Sequence, residues 1–301
     1  MKEMSDLPEL DLSGRRLNAI LEDEDNPWLT LGIMDRIEDP ALLYEWGRML
    51  DLQTRLLGPR EVEWLRAKGF GRDCADIVEP GSGDGRYGSF LARNFPDARI
   101  HGLEANGNLV RRFDTGRCPE NYAIDICRVG NDPLPVELSA GFDQCFLRFV
   151  LQHVSDPRPL LKAVHDALPQ GGKLYIIEED HSFFTTEPYW LPYSLATDAW
   201  SRVYTAGGSD GAMGRKLPAV VAEAGFDVTD FDVVLRNNVE MGNDFIDLFT
   251  QAARVLHHTS PDLLTVKELS SIQDEFRLDQ DRHGTSFVAT YPQILLCATK
   301  R

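Results

Sequence analysis

Asp76-Ile-Val-Glu-Pro-Gly-Ser-Gly-Asp-Gly-Arg-Tyr-Gly88 is the most informative segment of this chain. A short apolar run (Ala75, Ile77, Val78) ends in an acid, Glu79, and passes directly into closely spaced glycines. A helical pattern follows through Tyr87, Phe90, Leu91 and Phe95. Strand, glycine turn and helix in that order let the backbone approach a ligand without interference from Cβ atoms. They also aim the positive end of a helix at the same point. The segment reads as a nucleotide-like cofactor site at the first crossover of an α/β sheet.

Two cofactor readings overlap there. Gly83-Asp-Gly85-Arg-Tyr-Gly88 satisfies the dinucleotide pattern G-x-G-x-x-G. Glu79-Pro-Gly81-Ser-Gly83-Asp-Gly85 is similar to the acid-plus-glycine turn of class I S-adenosylmethionine (AdoMet) methyltransferases. In the dinucleotide pattern the first glycine follows the strand closely, a place that Gly81 holds, so the match from Gly83 falls late. An acid at the strand end would repel a pyrophosphate and favour the cationic ammonium and sulfonium end of AdoMet.

Moving outward, strands are expected near 74–79, 98–104, 122–129, 142–147 and 173–179, with helices near 85–95, 107–116 and 157–168. That alternation predicts a parallel α/β sheet. Upstream, apolar periodicity from Leu42 to Leu57 predicts a helix that Gly58-Pro59 interrupts, and a second one to Gly69. Downstream, aromatics gather from His181 to Tyr193, a helix covers 217–224, and strands follow near 227–235 and 286–299. The roughly 50 residues between those two strands are too many for a hairpin loop and read as an inserted helical cap. Residues 1–70 are thus taken as an N-terminal helical segment and 71–180 as the cofactor-binding core. The remaining strands and a substrate cap (181–215 and 238–285) make up 181–301.

Candidate site residues sit at strand ends. Glu104 closes the second strand, where an acid can accept hydrogen bonds from both ribose hydroxyls. Asn131 and Asp132 follow the third strand, where a polar side chain could meet an adenine amino group or simply form a turn. Asp180 and His181 follow the fifth strand, and an imidazole there suits proton removal near neutral pH. A metal site joining Asp180 and His181 to His257-His258 is the weaker reading, because adjacent helical residues do not share a face. No metal is expected.

Gly141-Phe-Asp-Gln-Cys-Phe-Leu-Arg-Phe-Val-Leu-Gln-His153-Val-Ser-Asp-Pro157 and Pro169-Gln-Gly-Gly-Lys-Leu-Tyr-Ile-Ile-Glu-Glu-Asp180 decide between the readings. Together they resemble the fourth and fifth strands of the methyltransferase family that includes the ubiquinone/menaquinone C-methyltransferases. Gly214-Arg-Lys-Leu-Pro218 and Ala224-Gly-Phe226 extend the likeness, which covers about residues 40–301 and is most specific over 75–180. The resemblance implies a Rossmann-like, seven-stranded, mostly parallel α/β sheet with helices on both faces, and AdoMet as cofactor. It places Glu79, Gly81, Ser82 and Gly83 at the methionine part, Glu104 at the ribose and Asn131 or Asp132 near the adenine. Arg148 and Phe149 fall where the pocket meets the transferred methyl group. The short loop Gly130–Pro135 departs from the family pattern, as does Pro80 within the turn.

The chain of 301 residues has a formal net charge of -17, which argues against a nucleic-acid partner because no basic footprint forms. Five scattered cysteines without a C-x-x-C pair suggest a reducing cytosol. Neither a signal peptide nor a membrane span is read from the apolar runs. A cytoplasmic enzyme acting on a small-molecule metabolite is the expectation, and the chain could form a homodimer. An AdoMet-binding protein without methyl transfer is the alternative, then a nicotinamide-dependent dehydrogenase.

Overall fold

The computed structural model describes residues 38–112, 118–135, Leu138, 141–190, Tyr193, Ser194, Thr197, Trp200, Ser201, 208–259, Asp274, Phe276, Leu278 and 287–301. Helix α1 spans Pro40–Lys68. Asp39 caps it by accepting the Ala41 N–H at 2.9 Å, and Pro40 occupies the first turn, where its missing N–H costs nothing. Gly69, at φ 86°, ends it by donating to the Arg66 and Leu65 carbonyls. The helix runs unbroken through Gly58-Pro59, against the expected interruption. An interior proline costs about 3 kcal/mol in isolation. Here packing supplies the balance, since α1 lies against two other helices and buries Leu57 and Val62 on either side of the proline. Gly58 is also needed for contact: a Cβ there would stand 2.8 Å from the Phe90 ring.

The sheet follows the expected alternation. Strands β1 (Asp76–Pro80), β2 (Arg99–Glu104), β3 (Tyr122–Ile126), β4 (Gln144–Arg148) and β5 (Lys173–Glu178) are parallel neighbours in the order β3-β2-β1-β4-β5. Helices α2 (Arg86–Asn94), α3 (Gly107–Val110) and α4 (Arg158–Ala167) connect them. The two-residue β6 (Thr186–Glu187), helix α5 (Met213–Glu223) and strand β7 (Phe226–Asn237) come next. Helices α6 (Asn238–Met241) and α7 (Asn243–Thr259) then lead to β8 (Val288–Lys300). Strand β8 lies antiparallel between β5 and β7, and β6 pairs with its first residues. The main sheet therefore has seven strands, mostly parallel, with β6 as a short eighth.

Strand alternation divides the core into two layers. Ile77, Phe146, Tyr175 and Ile177 pack on the α1–α2–α7 face. Val78, Cys145, Leu147, Leu174 and Ile176 pack against α4 and α5. Cys127, Cys145 and Cys297 are buried. Strand order reverses between β1 and β4, and at such a switch point the loops leave a crevice at the carboxyl ends of the strands. Trp190 and Tyr193 from the aromatic segment pack against Phe245, Phe249, Phe276 and Phe287. Most of 260–286 and several residues between 191 and 207, and with them part of the expected cap, lie outside the described residues.

Candidate cofactor and acceptor site

A cavity of about 510 Å³ opens at the switch point, within the usual range of ligand pockets. One of its walls is the glycine turn. Gly81 donates to the Leu103 carbonyl at 2.7 Å, anchoring the turn to β2. Gly81 and Gly83 have φ of 72° and 61°, the left-handed region that disfavours any side chain. A Cβ on Gly81 would also lie 2.6 Å from Val150 Cγ2.

Glu104 completes this wall from the end of β2. Its Oε2 accepts the Gly83 N–H and its Oε1 the Asn106 N–H, both at 2.8 Å. The carboxylate is thus fixed at the cavity edge by two backbone donors, each oxygen keeping further acceptor capacity. Glycines that leave room for a ligand and an oriented acid beside them suit the ribose and methionine portions of AdoMet.

The side chains of Glu79 and Ser82 are placed differently from the expectation: neither lines the cavity. Alternation along β1 puts Glu79 on the same face as Ile77, beneath the turn. There it shares the space under Gly88 with the Tyr122 ring, and a Cβ on Gly88 would stand 2.3 Å from Glu79 Oε2. Ser82 Oγ and the Tyr122 hydroxyl fill the corresponding space beside Gly102. Burial pushes the Glu79 carboxyl up to about 8, against the pull of the Arg148 guanidinium and the Tyr122 hydroxyl. Glu79 therefore supports the turn from below instead of facing a ligand cation.

The loop after β3 divides its two candidates. Asp132 accepts the Arg128 N–H at 2.7 Å and closes its own turn, whereas Asn131 stands in the cavity wall with Arg128 and Val129. Arg148 and Phe149 also line the cavity. The Arg148 guanidinium is engaged by Glu61 through contacts of 2.9 and 3.1 Å, and it stacks on Tyr87 and Phe149. Phe149 has φ 53°, an uncommon conformation for a bulky residue. Its N–H donates to the Ile177 carbonyl at 2.8 Å.

The two residues expected to carry acid–base chemistry separate. Asp180 is fully buried and bound by Arg215 at 2.5 and 2.6 Å, accepts from Ser182, and does not reach the cavity. His181 does reach it. Burial lowers its imidazole to about 4, so it is neutral at pH 7, although Asp180 and Asp210 pull the other way. His153, also in the wall, is lowered to about 3 by burial, with His181 adding to the effect.

Glu179 is a functional candidate absent from the residues expected above. Strand alternation puts residues 177 and 179 on the α1 face, toward the cavity, and 178 and 180 on the other. Counting from Ile177 is the signal that singles it out. Glu179 Oε1 accepts from the Tyr291 hydroxyl, and its Oε2 lies 3.7 Å from His181 Nε2. Burial raises its carboxyl to about 7 despite the Tyr291 hydrogen bond and the Arg148 charge. Among the described residues no cluster of His, Cys, Asp or Glu could hold a metal ion.

These shifts predict a pH dependence of stability. Glu79, Glu178 and Glu179 are raised to about 8, 8 and 7, mainly by burial. A carboxyl raised on folding stabilises fully below its unfolded value, and that contribution is lost as pH rises through the folded value. The lowered histidines act in the opposite sense, but only below their ordinary value of 6.5. The melting temperature should therefore fall as pH rises from 6.5 toward 8, and Glu178→Gln should flatten that slope. A melting temperature flat or rising across this interval, followed by differential scanning fluorimetry, would contradict the burial of these acids.

Residues 78–174 match the methyltransferase domain family. That span runs from the end of β1 through the glycine turn and β4 to the start of β5. The chain carries a class I methyltransferase domain. AdoMet, expected from the turn and from Glu104, is the cofactor of that class. The chain is 30% identical over 136 residues to methyltransferase str2 of Strobilurus tenacellus, an overlap of 40% of this chain and 47% of that protein. It thus spans about half the length of this curated relative. The fold is shared with the [4+2]-cyclase SpnF, at TM-score 0.51, 16% identity and 80% coverage of each chain. It is also shared with the YcgJ protein of Bacillus subtilis, at TM-score 0.50 and 15% identity, covering 80% of this chain and 98% of that one. No helix among the described residues is long and apolar enough to cross a membrane.

Proposed function

We propose that this protein transfers the methyl group of AdoMet to an oxygen, nitrogen or carbon atom of a small-molecule metabolite. One observation carries the reading: the glycine turn, Glu104 and an aromatic-walled chamber open onto one continuous cavity. When bound, AdoMet supplies a methyl group already activated on sulfonium. The chain's own task is then alignment, exclusion of water and, for a protonated nucleophile, removal of a proton. In this reading Gly81 and Gly83 hold the methionine portion, Glu104 the ribose and Asn131 the adenine edge. The segments 181–215 and 238–285 act as the substrate cap. The acidic surface favours small metabolites over nucleic acid, and a cytoplasmic setting with a homodimer as the assembly fits the same picture. A cyclase of the same fold keeps AdoMet binding without methyl transfer as the second reading.

Calorimetric titration with AdoMet and S-adenosylhomocysteine separates binding from turnover. A mass-spectrometric search of metabolite mixtures for the gain of one methyl group then tests transfer. Binding without any such product supports the second reading. Glu104→Ala should weaken AdoMet binding by about 1.5–3 kcal/mol, the scale of hydrogen bonds to a charged acceptor. Unchanged affinity in the folded variant would remove Glu104 from the ribose site.

A further inference from the structure

The far end of the cavity has a chemistry of its own. Its walls are aromatic and aliphatic, with Trp46, Phe184, Tyr193, Phe245, Phe249 and Leu256 prominent. Into this chamber project Glu179, His181 and Tyr291. The Tyr291 hydroxyl proton is committed to Glu179 Oε1, and Gln53 Nε2 donates to the Tyr291 oxygen at 3.3 Å, fixing the phenol. Glu179 Oε2 remains as the acceptor turned toward His181, with a gap of 3.7 Å that is too long for a hydrogen bond. The guanidinium of Arg148 is engaged by Glu61, which also accepts from Gln293 at 2.6 Å.

We propose that Glu179, braced by Tyr291 and facing His181, receives the acceptor's proton, and that the acceptor is a neutral, largely apolar ring compound bearing an acidic hydroxyl. This rests on the methyl-transfer reading and deepens it. An anionic acceptor would meet the Glu179 carboxylate with Arg148 already engaged by Glu61. An aliphatic ammonium would hold its lone pair as N–H and would have to shed its hydration in an apolar chamber. A conjugated hydroxyl can donate to Oε2 while its ring fills the aromatic chamber. Its O–H bond breaks as the O–CH₃ bond forms, and the proton passes to Glu179 Oε2. The electron pair of the cleaved S–CH₃ bond stays on sulfur, and Glu179 afterwards returns its proton to solvent.

The groups facing Glu179 set its response to pH. Tyr291 from β8 and Arg148 from β4 favour the carboxylate, whereas burial and Glu61 from α1 oppose it. His181 stays neutral. Hydroxyl recognition should accordingly rise as pH increases through about 7.

The test is calorimetric titration of the full chain, saturated with S-adenosylhomocysteine, with 2-naphthol, naphthalene, 2-naphthoate and 2-naphthylmethylamine. The expected result is 2-naphthol tightest, by about tenfold over naphthalene. That preference should weaken on acidification and disappear in Glu179→Gln. Tyr291→Phe keeps the carboxylate but removes its donor, so the pH midpoint of the preference should move upward, which a merely structural role would not produce. Tightest binding of the naphthoate or of the amine would overturn the proposal, as would a 2-naphthol preference that survives Glu179→Gln. Absence of S-adenosylhomocysteine binding in the unaltered protein would instead refute the cofactor reading beneath it.

Discussion

Arg148→Met should lower the unfolding free energy by about 3–5 kcal/mol, the scale for removing one partner of a buried ion pair. Arg148 and Glu61 are both buried, with side chains 6% and 1% exposed, and they meet through two contacts. Without the guanidinium, Glu61 loses its charged partner and keeps the neutral Gln293 amide as a donor. Its charge is then left in a medium that solvates it poorly. Methionine fills much of the volume, so the loss reports charge more than cavity. Glu61→Gln in the same background should recover a large part of it, because no charge then remains to strand. Urea denaturation of the three proteins measures both effects. A single-variant loss below about 1 kcal/mol would place the pair in the class of exposed ion pairs and contradict its burial.

Gly83→Val should reduce AdoMet affinity by at least about a hundredfold while leaving the protein folded. The residue sits at φ 61°, where a β-branched side chain costs on the order of 1–3 kcal/mol. Relief of that strain would move the N–H that Glu104 accepts, unfixing the acid. A Cβ at Gly83 approaches only Leu50 Cδ1, at 3.2 Å, a flexible side-chain end that can give way, so the protein should tolerate the change better than the ligand does. Calorimetry with S-adenosylhomocysteine, alongside circular dichroism, reads the two separately. Affinity within about threefold of the unaltered protein would show that the turn does not contact the cofactor.

The order of strands and helices is legible in the amino-acid sequence. Apolar runs of strand length separated by helical periodicity leave a parallel sheet as the economical solution. The glycines at 81 and 83 mark the turn because few other residues accept positive φ without strain. Glu104 is legible for a related reason: an acid at a strand end next to a glycine turn has backbone donors within reach.

Other features belong to the tertiary structure. Helix α1 passes through Pro59 because contacts with two other helices, invisible in local propensity, outweigh one lost hydrogen bond. Arg148 looks like a pocket residue by position, and only the fold shows that Glu61, 87 residues away, engages its guanidinium. Asp180 is engaged by Arg215, 35 residues further along, and Glu79 occupies the space beneath Gly88. Glu179 gains one because Tyr291, 112 residues further along, arrives beside it on an antiparallel strand. The sheet, the turn and the acid at the end of β2 are read from local sequence because they depend on backbone conformation and strand periodicity. Which carboxylates face the cavity was decided only by long-range packing, because burial and partner charges are set by residues far apart in the chain.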